Sequence, residues 1–226
     1  MKSKLKKNIT TMLILTTITV SQVFGISYEA IYLTPSGFNQ SQALGIGGIQ
    51  QVGNGRTATG GTQHHEAMLW NGSAESYVDL HPGGFTDSFA YGTNGIQQVG
   101  FGRTSTGNEY ALLWSGSAES CIDLNPSGFD NSWAYGTSDV QQVGEGDGHA
   151  LLWSGSAESY VDLHPSGFNY SEARAIDIYG NIIGWGYNLN DKACAILWVP
   201  IPEPAAFLLF GLGTAILRRK SYEISQ

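Results

Sequence analysis

Cysteine and positive charge are both scarce in this chain. Two cysteines, Cys121 and Cys194, are too few for a disulfide framework, so a stable fold must come from the burial of apolar side chains. Between Glu29 and Glu203, 18 acidic residues stand against four basic ones, because most lysines and arginines lie near the two ends of the chain. A surface of this charge repels phosphate backbones, which argues against nucleic acid as a partner.

Long apolar runs are also missing, and the two short ones lie near the ends of the chain. Residues 1–25 combine an early lysine cluster with an apolar or hydroxyl-bearing run from Ile9 to Val20, which is the pattern of a cleaved secretory signal peptide. The run is shorter than the roughly 20 apolar residues of a membrane span, so an uncleaved anchor is the weaker alternative. The sequence therefore predicts an exported chain that begins near Ile26.

The C-terminal end carries a second targeting pattern. A Pro-Glu-Pro triplet precedes a 13-residue apolar run, which a basic cluster follows. In order, these are Pro202, Glu203 and Pro204, then 205–217, then Arg218, Arg219 and Lys220. An apolar helix that ends in positive charges is physically a stop-transfer anchor, with its charges on the cytoplasmic side. Residues 199–226 resemble the PEP-CTERM sorting signal of Gram-negative bacteria.

This resemblance implies a partner and a location. In that family the triplet is recognised by an exosortase, an integral-membrane processing enzyme, and the mature protein reaches the cell surface or the extracellular matrix. We therefore expect an exosortase-type partner and a transient inner-membrane anchor formed by the C-terminal helix. The alternative is an ordinary C-terminal anchor that is never cut.

Between these signals one unit is repeated four times. Three copies are nearly identical: residues 67–85 (AMLWNGSAESYVDLHPGGF), 111–129 (ALLWSGSAESCIDLNPSGF) and 150–168 (ALLWSGSAESYVDLHPSGF). In each of them 12 residues separate the tryptophan from the turn proline, whereas the distance from the QQVG glycine to the next tryptophan varies. The variable stretch predicts a surface loop in which insertions are tolerated.

Each unit contains four short strand candidates bounded by turn formers: Ser-x-Ala-x-Gly, QQVG, ALLW and SYVDL. Four strands in about 40 to 47 residues are typical of a propeller blade. The repeat region starts with a lone fourth strand, Tyr28–Leu33, and ends with a lone third strand, Cys194–Trp198. Pairing the two completes a fourth blade, which predicts an all-β domain at residues 26–198 folded as a closed four-bladed β-propeller. An open β-solenoid and half of a larger propeller are the alternatives.

The repeated unit also resembles the HAF family of extracellular repeats. The strand HALLW at 149–153 matches best, and Asp162-Leu163 and the QQVG segments follow in the expected order. Membership implies secretion and a β-rich repeat architecture, with no assigned activity.

Familiar catalytic patterns are missing from the sequence. No Gly-x-Ser-x-Gly, His-Glu-x-x-His or phosphate loop occurs, so no catalytic residue, cofactor or metal ligand is assigned. The aspartates that recur before the turns are interpreted as acceptors for backbone N–H groups: Asp79, Asp123 and Asp162. The segment Glu145-Gly146-Asp147-Gly148 is interpreted as a tight hairpin rather than a calcium loop.

Large aromatic side chains are the strongest candidates for binding. Trp133 and Trp185 stand outside the repeated pattern, and together with Tyr91, Tyr135 and Tyr170 they form a candidate ligand surface, called the aromatic surface below. Such an acid-flanked aromatic surface is suited to stacking sugar rings. The sequence thus favours an exported, non-enzymatic protein with a binding or structural role at the envelope or in an exopolysaccharide matrix. A secreted glycan-acting propeller enzyme is the alternative.

Overall fold

The computed structural model describes residues 28–57 and 64–201. Residues 28–30 group with an N-terminal unit and form no regular element, whereas the residues from Ile31 onward form four antiparallel sheets. Sheet 1 contains β1 (Phe38–Gly47), β2 (Gln50–Thr57), β3 (His65–Trp70) and β4 (Val78–Asp79). Sheet 2 contains β5 (Asp87–Thr93), β6 (Gln98–Arg103), β7 (Glu109–Trp114) and β8 (Ile122–Asp123). Sheet 3 contains β9 (Ser132–Thr137), β10 (Gln142–Gly146), β11 (His149–Trp153) and β12 (Val161–Asp162), and sheet 4 contains β13 (Phe168–Ile176), β14 (Ile182–Asn188) and β15 (Ala193–Trp198).

Each sheet corresponds to one unit of the sequence repeat. Within a sheet, consecutive strands are hydrogen-bonded neighbours, so the Ser-x-Ala-x-Gly strand, called the inner strand below, lies at one edge. In sheets 1 to 3 the short SYVDL strand lies at the opposite edge. This order confirms the predicted β-rich repeat, with four strands in each of the first three units. In sheets 2 to 4 the segment that varies in length, between the second and third strands, is a hairpin loop, as the spacing predicted.

The repeated turn residues explain the sharp connections between strands. Short 3-10 helices join the third strand to the fourth at Ala74–Ser76, Ala118–Ser120 and Ala157–Ser159. In the second of these, the Ser120 hydroxyl accepts a hydrogen bond from the Ser115 N–H at 2.8 Å and donates one to the Ser117 carbonyl at 2.6 Å. The turn from one sheet to the next requires glycine, because Gly128 has a φ of 94°, in the left-handed region.

The apolar core lies between consecutive sheets. Between sheets 2 and 3 it consists of seven buried residues, namely Val99, Ala111, Leu113, Leu124, Ala134, Leu151 and Trp153. Equivalent clusters lie between sheets 1 and 2 and between sheets 3 and 4. Trp114 and Trp153, which end third strands, are fully buried, so their rings fill the wedge between sheets as the sequence predicted.

Buried polar groups add a second link between neighbouring sheets. The Ser132 hydroxyl accepts a hydrogen bond from the Ala111 N–H at 2.9 Å, which joins sheet 3 to sheet 2. The same bond, also of 2.9 Å, links Ser88 to Ala67 and Ser171 to Ala150. Ser88, Ser132 and Ser171 therefore each fix the position of their sheet against the preceding one.

The predicted closure of a four-bladed ring is not confirmed. Residues 28–35 form no strand, and within the described residues sheet 4 ends at β15, so Cys194–Trp198 has no fourth strand beside it. The inner strands contact each other in chain order: β1 with β5, β5 with β9, and β9 with β13. Sheet 4 leaves one apolar face exposed instead of covering it with sheet 1, since Leu197 on β15 is 61% exposed. The structure thus establishes four stacked antiparallel sheets, and the closed propeller stays a prediction.

The targeting patterns lie outside the described residues. This applies to the signal peptide at 1–25, to the Pro-Glu-Pro triplet, to the apolar helix expected at 205–217 and to the basic cluster that follows it. No helix within residues 28–57 and 64–201 is long and apolar enough to cross a membrane.

Candidate functional site

The candidate site is built on the inner strands of sheets 2, 3 and 4. The serine and alanine of each Ser-x-Ala-x segment are buried between sheets, so the two intervening side chains project from the opposite side of the strand. These intervening residues are Phe89 and Tyr91 on β5, Trp133 and Tyr135 on β9, and Glu172 and Arg174 on β13. The stacking of the repeats therefore sets aromatic and charged side chains of three sheets next to one another.

Aromatic rings form the sheet 2 side of the site. The Tyr91 ring lies 5.7 Å from that of Tyr135 on the next sheet and 5.8 Å from that of Phe101, measured between centroids. Phe101 is buried and stacks on Phe89 at 4.8 Å. Tyr91 and Tyr135 are half-buried, so a ligand could reach part of each ring above this buried layer.

Trp133 is held by a carboxylate of the preceding sheet. Its indole N–H donates a hydrogen bond to Glu109 Oε2 at 2.7 Å, and the backbone N–H of Glu109 donates to Asn131 Oδ1 at 3.0 Å. Burial, reinforced by the nearby charge of Glu109, raises the pKa of Tyr91. Glu109 begins β7 directly after the variable loop, so this end of the site borders a segment in which the repeats differ.

Tyr170 joins two carboxylates that come from different sheets. Its hydroxyl oxygen lies 2.6 Å from Glu145 Oε2 on β10 and 2.8 Å from Glu172 Oε2 on β13. One phenolic proton can be donated to only one acceptor at a time, so a carboxyl group that keeps its own proton relieves the conflict. Burial raises the pKa of Glu145, although its hydrogen bond with Tyr170 opposes the shift. Burial therefore favours the protonated form of Glu145, which can then accept the Tyr170 contact without competing charge.

Arg174 connects the acidic and the aromatic parts of the site. It forms an ion pair with Glu172, whose side chain is almost completely buried. The guanidinium carbon of Arg174 also lies 4.2 Å from the centroid of the Tyr135 ring, in a cation–π arrangement. Burial and the neighbouring charge of Glu145 raise the pKa of Tyr135, so its hydroxyl group remains protonated at neutral pH.

Trp185 lies at the far end of the site, on β14. Its ring is 5.4 Å from that of Tyr170 and 5.1 Å from that of Tyr187. Tyr187 is exposed, so the aromatic character of this region continues to the open face of sheet 4.

Four of the five residues of the aromatic surface thus belong to one connected arrangement, and the fifth, Trp133, lies on the same strand as Tyr135. The Tyr91 ring contacts the Tyr135 ring, and Arg174 lies over the Tyr135 ring. Arg174 forms an ion pair with Glu172, and Glu172 accepts a hydrogen bond from Tyr170, whose ring contacts Trp185. Trp133 lies two residues before Tyr135 on β9. Sequence reasoning missed four charged members: Glu109, Glu145, Glu172 and Arg174. A usable signal existed for two of them, because Glu172 and Arg174 occupy positions at which units 2 and 3 carry aromatic residues.

The aspartates that recur in three of the units have structural roles. Asp79, Asp123 and Asp162 each accept a hydrogen bond from the backbone N–H two residues later, at 2.7 to 2.8 Å, which confirms their interpretation. The Glu145–Gly148 segment is a tight hairpin, as predicted, with Gly146 opposite His149. The Asp147 carboxylate accepts hydrogen bonds from the backbone N–H groups of Asp130 and Asn131. In the part of the chain that the structure describes, no three His, Cys, Asp or Glu side chains are grouped so as to hold a metal ion.

Comparison with known proteins assigns the C-terminal signal. A family model described as the PEP-CTERM protein-sorting motif matches residues 200–220. No curated protein and no solved structure matches the chain. The motif marks the chain as an exported, envelope-associated protein that is recognised by an exosortase.

Proposed function

We propose that this protein binds polysaccharide at the cell surface or in the extracellular matrix, through the aromatic surface and the charged residues within it. One observation carries the proposal: Tyr91, Tyr135, Tyr170 and Trp185 come from three sheets and are connected through Arg174 and Glu172. Trp133 lies two residues before Tyr135 on β9. Export and sorting by an exosortase are consistent with this role, since both deliver the chain to the compartment that contains exopolysaccharide.

The chemistry of the site suits sugars. Partly exposed aromatic rings offer flat apolar faces on which sugar rings can stack, and the polar tips of tyrosines can hydrogen-bond to hydroxyl groups. Between Glu29 and Glu203 acidic residues greatly outnumber basic ones, which favours a neutral glycan over a strongly anionic one. Arg174 provides a local positive group inside this acidic domain.

The scaffold fits the same role. We interpret the repeats as HAF-like units in a propeller-like stack, a framework that holds a binding surface while its loops vary. The loop before Glu109 and the hairpin at Asp147-Gly148 both lie between second and third strands, and both border the site. Insertions there would alter ligand contacts without disturbing the core between sheets.

The test is retention of the purified chain on exopolysaccharide from the producing bacterium. Tyr91→Leu, Trp133→Leu and Tyr135→Leu keep apolar bulk and remove the aromatic face, so each should weaken saturable retention at least several-fold. Phe101→Leu is the matched control, because it also removes an aromatic ring that stacks on Tyr91, but Phe101 is buried and does not face the ligand. Equal retention of all variants, or no retention of the unmodified chain, would reject the proposal and leave a purely structural role.

A glycan-cleaving enzyme is the second candidate, and the pair Glu145 and Glu172 favours it. Glycoside hydrolysis commonly uses two carboxyl groups whose environments give them different pKa values, so that one is protonated while the other is ionised. Binding is nevertheless proposed first, because Glu145 is 7% and Glu172 is 2% exposed, so Tyr170 shields both from a polymer chain. Oligosaccharides released during the retention assay, and no longer released by Glu145→Gln, would establish the enzyme instead.

A further inference from the structure

Four hairpin turns, one from each sheet, expose apolar side chains. Each turn connects the inner strand of its sheet to the second strand, and the turns comprise residues 48–49, 94–97, 138–141 and 177–181. They are named the apolar turns below, after five residues that are 69% to 78% exposed: Ile49, Ile96, Val140, Ile178 and Tyr179. Single exposed apolar residues are common on protein surfaces, whereas a contiguous group of them marks a site of interaction.

Hydrogen bonds hold the first three apolar turns side by side. The side-chain amide of Gln98 donates to Gln50 Oε1 at 2.9 Å, which links the bases of the first two turns. The side-chain amide of Asn94 donates to the Ser138 carbonyl at 2.7 Å, which links the second turn to the third. Within its own turn, Asn94 Oδ1 accepts a hydrogen bond from the Ile96 N–H at 2.9 Å. The polar groups are thus occupied inside the row of turns, while the apolar side chains stay exposed.

The fourth apolar turn lies where the chain leaves the described domain. A Cβ atom added to Gly180 would be 3.9 Å from Gln141 Oε1 in the third turn and 3.1 Å from Pro200 Cγ. Pro200 comes two residues after the end of β15, and Ile201, the last described residue, is exposed. The apolar run at 205–217 begins four residues later, a distance of at most about 14 Å. The predicted membrane anchor therefore starts close to the apolar turns.

The charges at this end of the sheets are acidic. The 3-10 turns also lie here, since the Gly116 N–H, just before the second of them, donates to Gln98 Oε1 at 2.8 Å. The part of the chain that the structure describes has no lysine or arginine in the apolar turns or the 3-10 turns. Such a surface is not attracted to anionic lipids, so apolar contact must provide the affinity for a membrane. The exposed acidic residues of these turns are Glu75, Glu119, Asp139, Glu158 and Asp177.

We infer that the apolar turns dock on the surface of a lipid bilayer with zwitterionic headgroups, beside the point at which the apolar run enters it. Exposed isoleucine and valine side chains are stabilised at the boundary between headgroups and acyl chains, where they leave water. Tyr179 suits the same boundary, because its ring is apolar and its hydroxyl group is polar. A lipid surface is favoured over a second copy of the chain, because Pro200 brings the start of the predicted anchor to this end.

This docking goes beyond polysaccharide binding and is compatible with it. In an antiparallel sheet the variable loops, between the second and third strands, lie at the end opposite the apolar turns. Glu109 and Trp133 are at that opposite end, since Glu109 begins β7 and Trp133 is the second residue of β9. A domain docked through its apolar turns therefore holds this part of the aromatic surface away from the membrane.

Quenching of a fluorophore by lipid tests the inference on the full-length chain. Cys121→Ser and Cys194→Ala remove the native thiols, and Ile96→Cys is then labelled with a polarity-sensitive fluorophore. The chain is added to phosphatidylcholine vesicles whose acyl chains carry bromine, which quenches fluorescence on contact. Ser105→Cys is the control, because Ser105 is exposed in the loop between β6 and β7, at the opposite end of sheet 2.

Docking predicts quenching at position 96 at least several-fold stronger than at position 105, with a shift of the emission to the blue. Equal quenching at the two positions would show that the domain has no preferred orientation and would overturn the inference. Absence of quenching at position 96 also overturns it, and since the vesicles contain no protein, that result would leave a protein as the partner of this surface.

Removal of the apolar side chains provides a matched test. Ile49→Ser and Val140→Ser are combined in the chain labelled at position 96, and because both side chains are exposed, folding should be unaffected. Quenching should fall at least several-fold. Ile122→Ser with Val161→Ser is the control, since these exposed residues lie on β8 and β12, away from the apolar turns. The apolar run is the same in all these chains, so undiminished quenching, or an equal loss in the control, would contradict the inference.

The lipid composition tests the expected chemistry of the contact. Replacement of part of the phosphatidylcholine by phosphatidylglycerol should weaken quenching at position 96, because the exposed acidic residues are repelled by anionic headgroups. With phosphatidylcholine alone, raised salt should leave quenching unchanged, since salt screens charges and does not weaken apolar contact. Stronger quenching in the anionic vesicles, or its loss in salt, would show an electrostatic contact and reject docking through the apolar side chains.

Discussion

The QQVG glycine gives a direct test of the packing within a sheet. Gly100 on β6 lies against the inner strand β5, and a Cβ atom added to it would be 2.8 Å from the carbonyl carbon of Phe89 and 2.9 Å from the Cα of Ala90. Ordinary van der Waals contact at such positions begins at 3.4 Å, and the obstructing atoms belong to the backbone, which cannot turn away as a flexible side chain can. Gly100→Ala must therefore push β5 and β6 apart.

The expected loss is large for a single methyl group. Overpacking usually lowers the free energy of unfolding by about 1–3 kcal/mol. Because the obstructing atoms belong to the rigid backbone, we expect Gly100→Ala to lower it by about 3 kcal/mol or more. In a domain of this size each kcal/mol of lost stability lowers the Tm by about 2–4 °C, so we expect the Tm of Gly100→Ala to fall by about 6–12 °C. The assay is thermal unfolding followed by circular dichroism or tryptophan fluorescence.

A second glycine provides the control for this prediction. Gly83 has no heavy atom within 4 Å of its added Cβ, and its φ does not lie in the left-handed region. Gly83→Ala should therefore change the free energy of unfolding by no more than about 0.5 kcal/mol. Equal Tm values for Gly100→Ala and the unmodified chain, or equal losses in both variants, would refute the packing described for the inner strands.

Three further predictions concern titration, sheet contacts and sorting. Burial holds the pKa of Glu145 above 4.5, so the contribution of this group to stability is complete below pH 4.5 and is lost as the pH rises through the raised pKa. Urea titrations should therefore show that Glu145→Gln gains stability relative to the unmodified chain as the pH rises through this range. The opposite trend would contradict the assignment. Ser132→Ala leaves the Ala111 N–H without its acceptor and should cost about 1–3 kcal/mol in denaturant unfolding, whereas an unchanged midpoint would exclude this link between sheets. Glu203→Ala within the sorting motif should leave the chain unprocessed on immunoblots of whole cells, while Glu223→Ala, outside the motif, should be processed normally.

The sequence was sufficient to predict the repeated sheet because the turn chemistry and the apolar alternation recur together. Gly128 and the residues around Ser120 stop each strand at the same place, and apolar residues such as Leu113 recur in every unit at the same register. These patterns involve residues within about ten positions of one another, so a single sequence is sufficient to detect them. The four strands of each of the first three units and the role of the repeated aspartates were predicted from these signals.

Contacts between sheets could be predicted only in part. The convergence of Glu145 and Glu172 on Tyr170 depends on how two sheets stack, and no local pattern encodes that distance. The same limit applies to closure of the ring. Matching a lone third strand with a lone fourth strand shows that the two are complementary, but it does not say whether they belong to one molecule or to two.

Protection of the inner strands by polysaccharide tests the proposed site most directly. Hydrogen–deuterium exchange of the exported chain is measured with and without saturating exopolysaccharide, and exchange is compared segment by segment. Binding at the aromatic surface predicts slower exchange in β5, β9 and β13 and in the loop before Glu109, with little change in the 3-10 turns at Ala74–Ser76 and Ala118–Ser120. Unchanged exchange throughout, or protection confined to those turns, would contradict the assignment of this surface as the binding site.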